Sequence, residues 1–264
     1  MTWPPQHSRQ WHGKKTLPDF RARTVVRLGA APDLKKVNEN GEFTHSYVQD
    51  ASVAYRLATY GRIIGLSRQA IINDDLGAFA DLLKKFGEAA ARLEGDILAD
   101  LLLSNPSIDG MALFHADRGT LLSGAGSALG SAGLQNAIKA LRMQKELDGG
   151  FIAQEPRYLL VPAALEFFAR QWTTVITPAK TSDVNPLGQN IQIVVEPRLD
   201  AASTTAWYLA TQDGALEYGY LEGQVGVYTE TRNGFETDGM DIKARLDFGA
   251  GFVSPSGWIK SAGV

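Results

Sequence analysis

Leu76, Phe79, Leu83, Phe86, Ala90, Leu93, Ile97 and Leu101 recur at spacings of three and four residues. That period puts them all on one stripe of an α-helix. Asn73, Asp74 and Asp75 stand where an N-terminal cap belongs, and acids there suit the helix dipole. Asn105-Pro106 ends the pattern. Roughly 30 residues at ~1.5 Å each predict a rod about 45 Å long. That is more length than a compact chain of 264 residues needs for its own core.

Two further segments pose the same problem. Residues 1–20 carry Trp3, Pro4, Pro5, Trp11 and Pro18 with no helical or strand period, so they are expected to order only along something else. Lys35 to Leu57 reads as a long hairpin turning at Asn40-Gly41, because that dipeptide accepts the positive φ of a tight hairpin turn. Its flanks (Phe43, Thr44, Tyr47, Val48, then Val53, Tyr55, Leu57) are β-prone but offer little to anchor it, so it is expected to project from the body.

The remaining pattern mixes strands and helices, an α+β chain. Arg23 to Leu28 reads as a strand and Tyr60 to Ile72 as a strand-rich apolar stretch. Leu121 to Gly133 is Gly/Ser/Ala-rich and reads as a loop. Leu134 to Leu147 and Pro162 to Gln171 read as helices, the second opened by proline in its first turn. Strands are expected at Tyr158 to Val161, Ile191 to Val195 and Ala206 to Thr211. From Gly214 onward strand signals dominate, at Val225 to Thr231, Met240 to Phe248 and Phe252-Val253, with a turn at Asn233-Gly234. No solenoid period is visible.

Composition removes several classes. There are no cysteines, which excludes disulfides and cysteine-based metal sites. No run approaches the ~18 apolar residues of a membrane span, and Met1 to Lys15 lacks the apolar core of a signal peptide, so neither a membrane partner nor export is expected. The net charge of −3 is uneven. Residues 1–36 hold Arg9, Lys14, Lys15, Arg21, Arg23, Arg27, Lys35 and Lys36 against Asp19 and Asp33, a balance of +6 that leaves −9 for the rest. A basic leader on an acidic body points to an acidic surface, on another copy or on nucleic acid.

Active-site patterns fail on inspection. His7, His12, His45 and His115 have no metal-ligand spacing. His115 with Asp117 resembles a catalytic pair, but a loop histidine beside an acid is more often structural. Gly124 to Gly130 resembles a phosphate loop whose third glycine is one residue late, and no Lys-Ser/Thr pair follows it. No nucleophile elbow surrounds Ser127 or Ser131. Asp74-Asp75 reads as a cap rather than an acid/base pair. Outside the leader no aromatic-interleaved basic patch supports sequence-specific nucleic-acid readout. No catalytic, cofactor-binding or metal residue is assigned, no cofactor is called for, and an enzyme is not expected.

The run from Tyr60 to Phe79, YGRIIGLSRQAIINDDLGAF, resembles the signature of the Mu-like major head subunit family, phage capsid proteins with the Hong Kong-97 fold. Leu17 to Phe20, Asn105-Pro106 with Asp109-Gly110, Leu113 to Asp117, Leu159 to Pro162 and Gly239 to Gly251 fit the same pattern in order. The resemblance implies an N-terminal arm at 1–28 and an extended loop at 29–66. A peripheral domain with a spine helix would take 67–132, an axial domain 133–224, and returning peripheral strands 225–264, with Thr229 to Asp238 as a long hairpin loop. It implies a structural protein of the virion, assembled in the host cytoplasm. Copies of the chain would join as pentamers and hexamers of an icosahedral shell around double-stranded DNA. Portal, scaffold and decoration proteins are the other partners it implies. Some relatives of the fold crosslink a lysine to an asparagine beside a glutamate, for which Lys35 or Lys36, Asn233 and Glu236 stand nearest, although the Mu-like branch is not expected to do so. The alternatives are a decoration or portal-associated virion protein and, behind it, a hydrolase built on His115.

Overall fold

The computed structural model describes residues 13–28, 50–73, 78–147, 149–173, 191–212, 215–234 and 238–264. The axis of the first sheet is β13 (Gly239–Phe252), long enough to serve several partners. Along one edge it pairs antiparallel with β12 (Val227–Asn233) and then with β11 (Leu216–Leu221). Its other edge pairs with β4 (Ala58–Ser67) over ten register positions. Beyond β11 lies β1 (Gly13–Leu17), a parallel strand from the leader. Beside this sheet stands an antiparallel pair, β2 (Arg23–Leu28) with β3 (Asp50–Tyr55). Gly249 and Gly251 let the end of that pair cross β13 closely. A Cβ at Gly249 would lie 2.3 Å from the Arg56 carbonyl oxygen, and one at Gly251 would lie 2.6 Å from Tyr55 Cβ.

The second sheet runs β7 (Leu121–Leu122), β14 (Trp258–Ser261), β10 (Trp207–Ala210), β8 (Tyr158–Val161), β9 (Gln192–Val195). Alternation gives it two buried faces. Leu159, Val161, Trp207, Leu209 and Ile259 pack under helices α3 (Ser131–Arg142) and α4 (Glu166–Thr173). Leu160, Val194, Tyr208, Ala210 and Trp258 face the main core. There they meet Leu98 and Leu102 of α2 (Ala78–Leu103) and Leu216, Tyr218, Tyr220, Phe248 and Phe252 of the first sheet. The second half of α2 is thus wedged between the sheets. A short hairpin, β5 (Ser107–Ile108) with β6 (Met111–Ala112), follows it.

Several expectations need correction. The described part of the rod has 26 residues, ~39 Å of helix at ~1.5 Å per residue, and 74–77, where the expected rod begins, lie outside the described residues. Its deepest residues are Leu98, Ala99 and Leu102 rather than Leu93, Ile97 and Leu101, which are half-buried around them. A helix held between two sheets buries a wider arc than one stripe. The strand-rich stretch to Ile72 ends at Ser67, which pairs with Gly239, the first residue of β13. With no partner strand left, Arg68–Ile72 turns into a short helix, α1, closed by the Asn73 N–H on the Gln69 carbonyl. Asn73 therefore ends α1; Asp74 and Asp75 lie outside the described residues. The helix expected to reach Leu147 stops at Arg142, because Gln144 turns inward. Its Nε2 donates to the Trp258 carbonyl and its Oε1 accepts from the Gly257 N–H. The loop at 121–133 loses residues at both ends, to β7 and to α3. The turn at Asn40-Gly41 and both leader tryptophans lie outside the described residues.

Candidate functional site: surfaces for assembly

The enzyme-like features resolve into structural contacts. The His115 Nδ1 lies 3.5 Å from the Asp117 carboxylate and accepts the Asp117 N–H at 3.2 Å. The His115 N–H donates to Thr120 Oγ1. The histidine thus shapes its own turn. The Gly/Ser loop is an anchor as well. The Ser127 carbonyl accepts from Trp207 Nε1 and Ser261 Oγ, and its hydroxyl bonds the Val264 backbone. Among the described residues no group of three or more His, Cys, Asp or Glu is placed to hold a metal. No helix there is long and apolar enough to cross a membrane. Of the crosslinking candidates, Asn233 pairs with Met240 at the end of β12, while Lys35, Lys36 and Glu236 lie outside the described residues.

What the fold does present is surface that one chain leaves uncovered. The ribbon of β4, β13 and β12 extends past the core, and nearly every residue of β12 is exposed. One ribbon face carries a cross-strand ladder. Glu230 pairs with Lys243, Arg232 lies 3.3 Å from Asp241, and the Arg245 guanidinium sits 5.2 Å from the Tyr228 ring centroid. Lys243 hydrogen-bonds the Glu230 carboxyl and holds it below its ordinary value, with desolvation opposing and the charges of Lys243 and Arg245 adding to the effect. On β4 the opposing residues are Gly61, Ile63 and Gly65, so Ile63 stands alone and 61% exposed among charges. The other ribbon face buries Ile242, Ala244 and Leu246. Between it and the first half of α2 runs an open groove of about 560 Å³, lined by Tyr60, Phe86, Ala90, Leu93, Val227 and Leu246. At the far side of the molecule α4 presents Phe167, 74% exposed, with Phe168 and Trp172 beside it.

Three ties fix these parts. Arg27 Nη2 donates to Asp109 Oδ2 at 2.5 Å, pinning the β2–β3 pair to the β5–β6 hairpin. Arg198 joins α2 to the second sheet: its Nε donates to Asp96 Oδ1 at 2.5 Å, Nη1 to Glu196 Oε1 at 2.8 Å, and Nη2 to the Arg92 carbonyl at 3.2 Å. Gly95 makes room for it, since a Cβ there would lie 2.8 Å from Arg198 Nη2. The third tie is Glu217 on β11, which faces Lys15, Arg23 and the Tyr55 hydroxyl. Burial, then the Glu217 charge, push the Tyr55 hydroxyl up to about 12, so it stays protonated and donates. Sequence reasoning found none of these ties. Arg198, Glu217 and Asp109 carry no local signature, and their partners are distant in the chain; only Gly95, a glycine inside a helical pattern, hinted at a close approach.

A family model described as phage capsid protein matches residues 50–261. No curated protein matches the chain in sequence. Solved structures match it over nearly its whole length. The capsid of cyanophage P-SCSP1u shares 13% identity at a TM-score of 0.60, covering 94% of this chain and 85% of that one. The mature capsid of bacteriophage PhiM1 shares 11% at 0.61, covering 98% and 87%. A chain from Microbacterium phage Oxtober96 shares 10% at 0.64, covering 99% and 93%. At these identities the likeness is one of fold.

Proposed function

Because this chain belongs to the phage capsid protein family, we propose that it is the major subunit of a phage head, building its shell from many copies of itself. In this reading the shell is icosahedral, made of pentamers and hexamers, and encloses double-stranded DNA. The reading extends to the Mu-like branch with its Hong Kong-97 fold, and to 1–28 as arm, 29–66 as extended loop, 67–132 with 225–264 as peripheral domain and 133–224 as axial domain. The carrying observation is a physical mismatch. The charged face of the ribbon, an open apolar groove along half of a long helix and an aromatic α4 face are uncovered in one chain, yet the sheets and the helix between them already share a buried core. Contacts with further copies would cover such surfaces, because closed symmetric assembly buries the same patches on every subunit. Portal, scaffold and decoration proteins would meet the finished shell, and the basic leader would meet a neighbour's acidic body or the packaged DNA. The test is electron microscopy of the purified full-length protein across a concentration series. Closed shells or capsomer rings are expected. A chain that stays monomeric, or forms one small discrete oligomer at every concentration, would overturn the reading.

A further inference from the structure

The leader strand and the projecting strand pair meet in a small apolar cluster, Leu17 with Tyr55 and Leu57 and with Val25 packed against it, and each has further anchors of its own. β1 is held by its parallel ladder on β11 and by Leu17, which is 1% exposed. Leu17 fits a notch that exists because position 219 is glycine; a Cβ there would lie 2.1 Å from Leu17 Cδ1. The β2–β3 pair is held by Tyr55 against Gly251 and by Arg27 on Asp109. Beside that cluster stands a shared charged group. The Glu217 carboxylate, with its side chain 14% exposed, lies 3.6 Å from Lys15 Nζ of β1 and 3.8 Å from Arg23 Nη2 of β2. It also accepts the Tyr55 hydroxyl of β3 at 3.3 Å. From β13 its register partner is Gly251, which brings no charge.

We propose that Glu217 is a positioning residue that couples the leader strand to the β2–β3 pair, so that both are held, or released, as one unit. The argument is electrostatic. Two cations from different strands converge on one poorly solvated carboxylate, and each is kept in place partly by the neutralisation of the other. Without the carboxylate, Lys15 and Arg23 face each other as like charges and Tyr55 loses its acceptor. Without Lys15, the carboxylate has half its countercharge and holds the strand pair less well. What this coupling does in a shell rests on the capsid reading. The coupling itself belongs to the free subunit, so a failure here leaves that reading standing.

Hydrogen exchange of the full-length subunit tests it. Glu217→Gln is expected to raise exchange in 13–17 and in 23–28 with 50–55 together, by about tenfold, equivalent to about 1.4 kcal/mol of opening free energy. Exchange in β8 and β10 should stay unchanged. Lys15→Met and Arg23→Met, on side chains that are 42% and 35% exposed, are each expected to loosen both segments, and they carry the test should Glu217→Gln not fold. A rise confined to the mutated strand would overturn the coupling. The exposed connection at 18–22 and the Leu17–Tyr55 cluster supply rival routes. Thr16→Gly, at an exposed position of β1, weakens that strand without touching the carboxylate or the cluster. It should loosen the strand pair in the native background and leave it unchanged beside Glu217→Gln. A strand pair that follows β1 in both backgrounds assigns the coupling to the connection or the cluster instead.

Discussion

Leu93 and Leu98 look equivalent in the sequence, both apolar and both near the middle of one helical pattern. In the fold Leu98 is 1% exposed between the two sheets, while Leu93 lines the open groove. Truncation should separate them. Leu98→Ala leaves a cavity with sheet on both sides and little freedom to collapse, so a loss of about 2–5 kcal/mol is expected. Leu93→Ala removes a side chain that a lone subunit buries only in part, and its cost should fall below about 2 kcal/mol. Chemical denaturation of the free subunit measures both. Equal costs would mean that the groove is already closed in the single chain. The difference was not legible in advance, because periodicity reports which residues share a side of a helix, not how many layers pack around it.

At the scale of elements, the readable parts were those whose pattern is local. The strands at 158–161 and 23–28 and the helix through 86–101 are all present, because alternation or a 3.6-residue period lies within each segment. The missed parts owe their structure to distant partners. Gly13–Leu17 has one apolar residue and becomes a strand by lying along Leu216–Leu221. Trp258–Ser261 is a short run whose burial comes from β10 and β7. The ribbon stands between these cases: its strands were partly legible, its charge ladder was not. That ladder makes a prediction about pH. The folded-state pKa of Glu230 is depressed by Lys243, so the pair's contribution is fully present above the ordinary glutamate value of 4.5. It is lost as pH falls from there through the folded value. Because the pair is exposed, salt should shrink the effect. Acidifying from neutral pH to below that range at low salt should therefore speed proteolysis within 227–246, and Glu230→Gln should remove the ladder's part of that response. An acid response unchanged in Glu230→Gln would show that the ladder contributes nothing to ribbon order.

At the scale of the molecule, the question is which parts the fold needs for itself and which it keeps for contact. The sheets and the second half of α2 share one core, and residues 29–49 lie in the chain between β2 and β3. Leu28 and Asp50 are register partners at the end of that ladder. A two-residue Asn-Gly turn can therefore close it in place of 29–49, because a tight hairpin turn needs its flanking residues directly opposite each other. The replacement leaves Arg27 on Asp109 and Tyr55 on Glu217 in place, so the base of the pair keeps both of its ties. The free subunit should fold, with a Tm within about 4–8 °C of the native chain, the shift expected for roughly 1 kcal/mol in a small domain and an upper limit here. Assembly should fail, since the segment read as the extended loop is the part that reaches a neighbour. Calorimetry of the subunit and electron microscopy of concentrated protein together decide it. Normal closed shells from the shortened chain would remove 29–49 from the assembly contacts. A chain that no longer folds would show that the segment serves the subunit's own core.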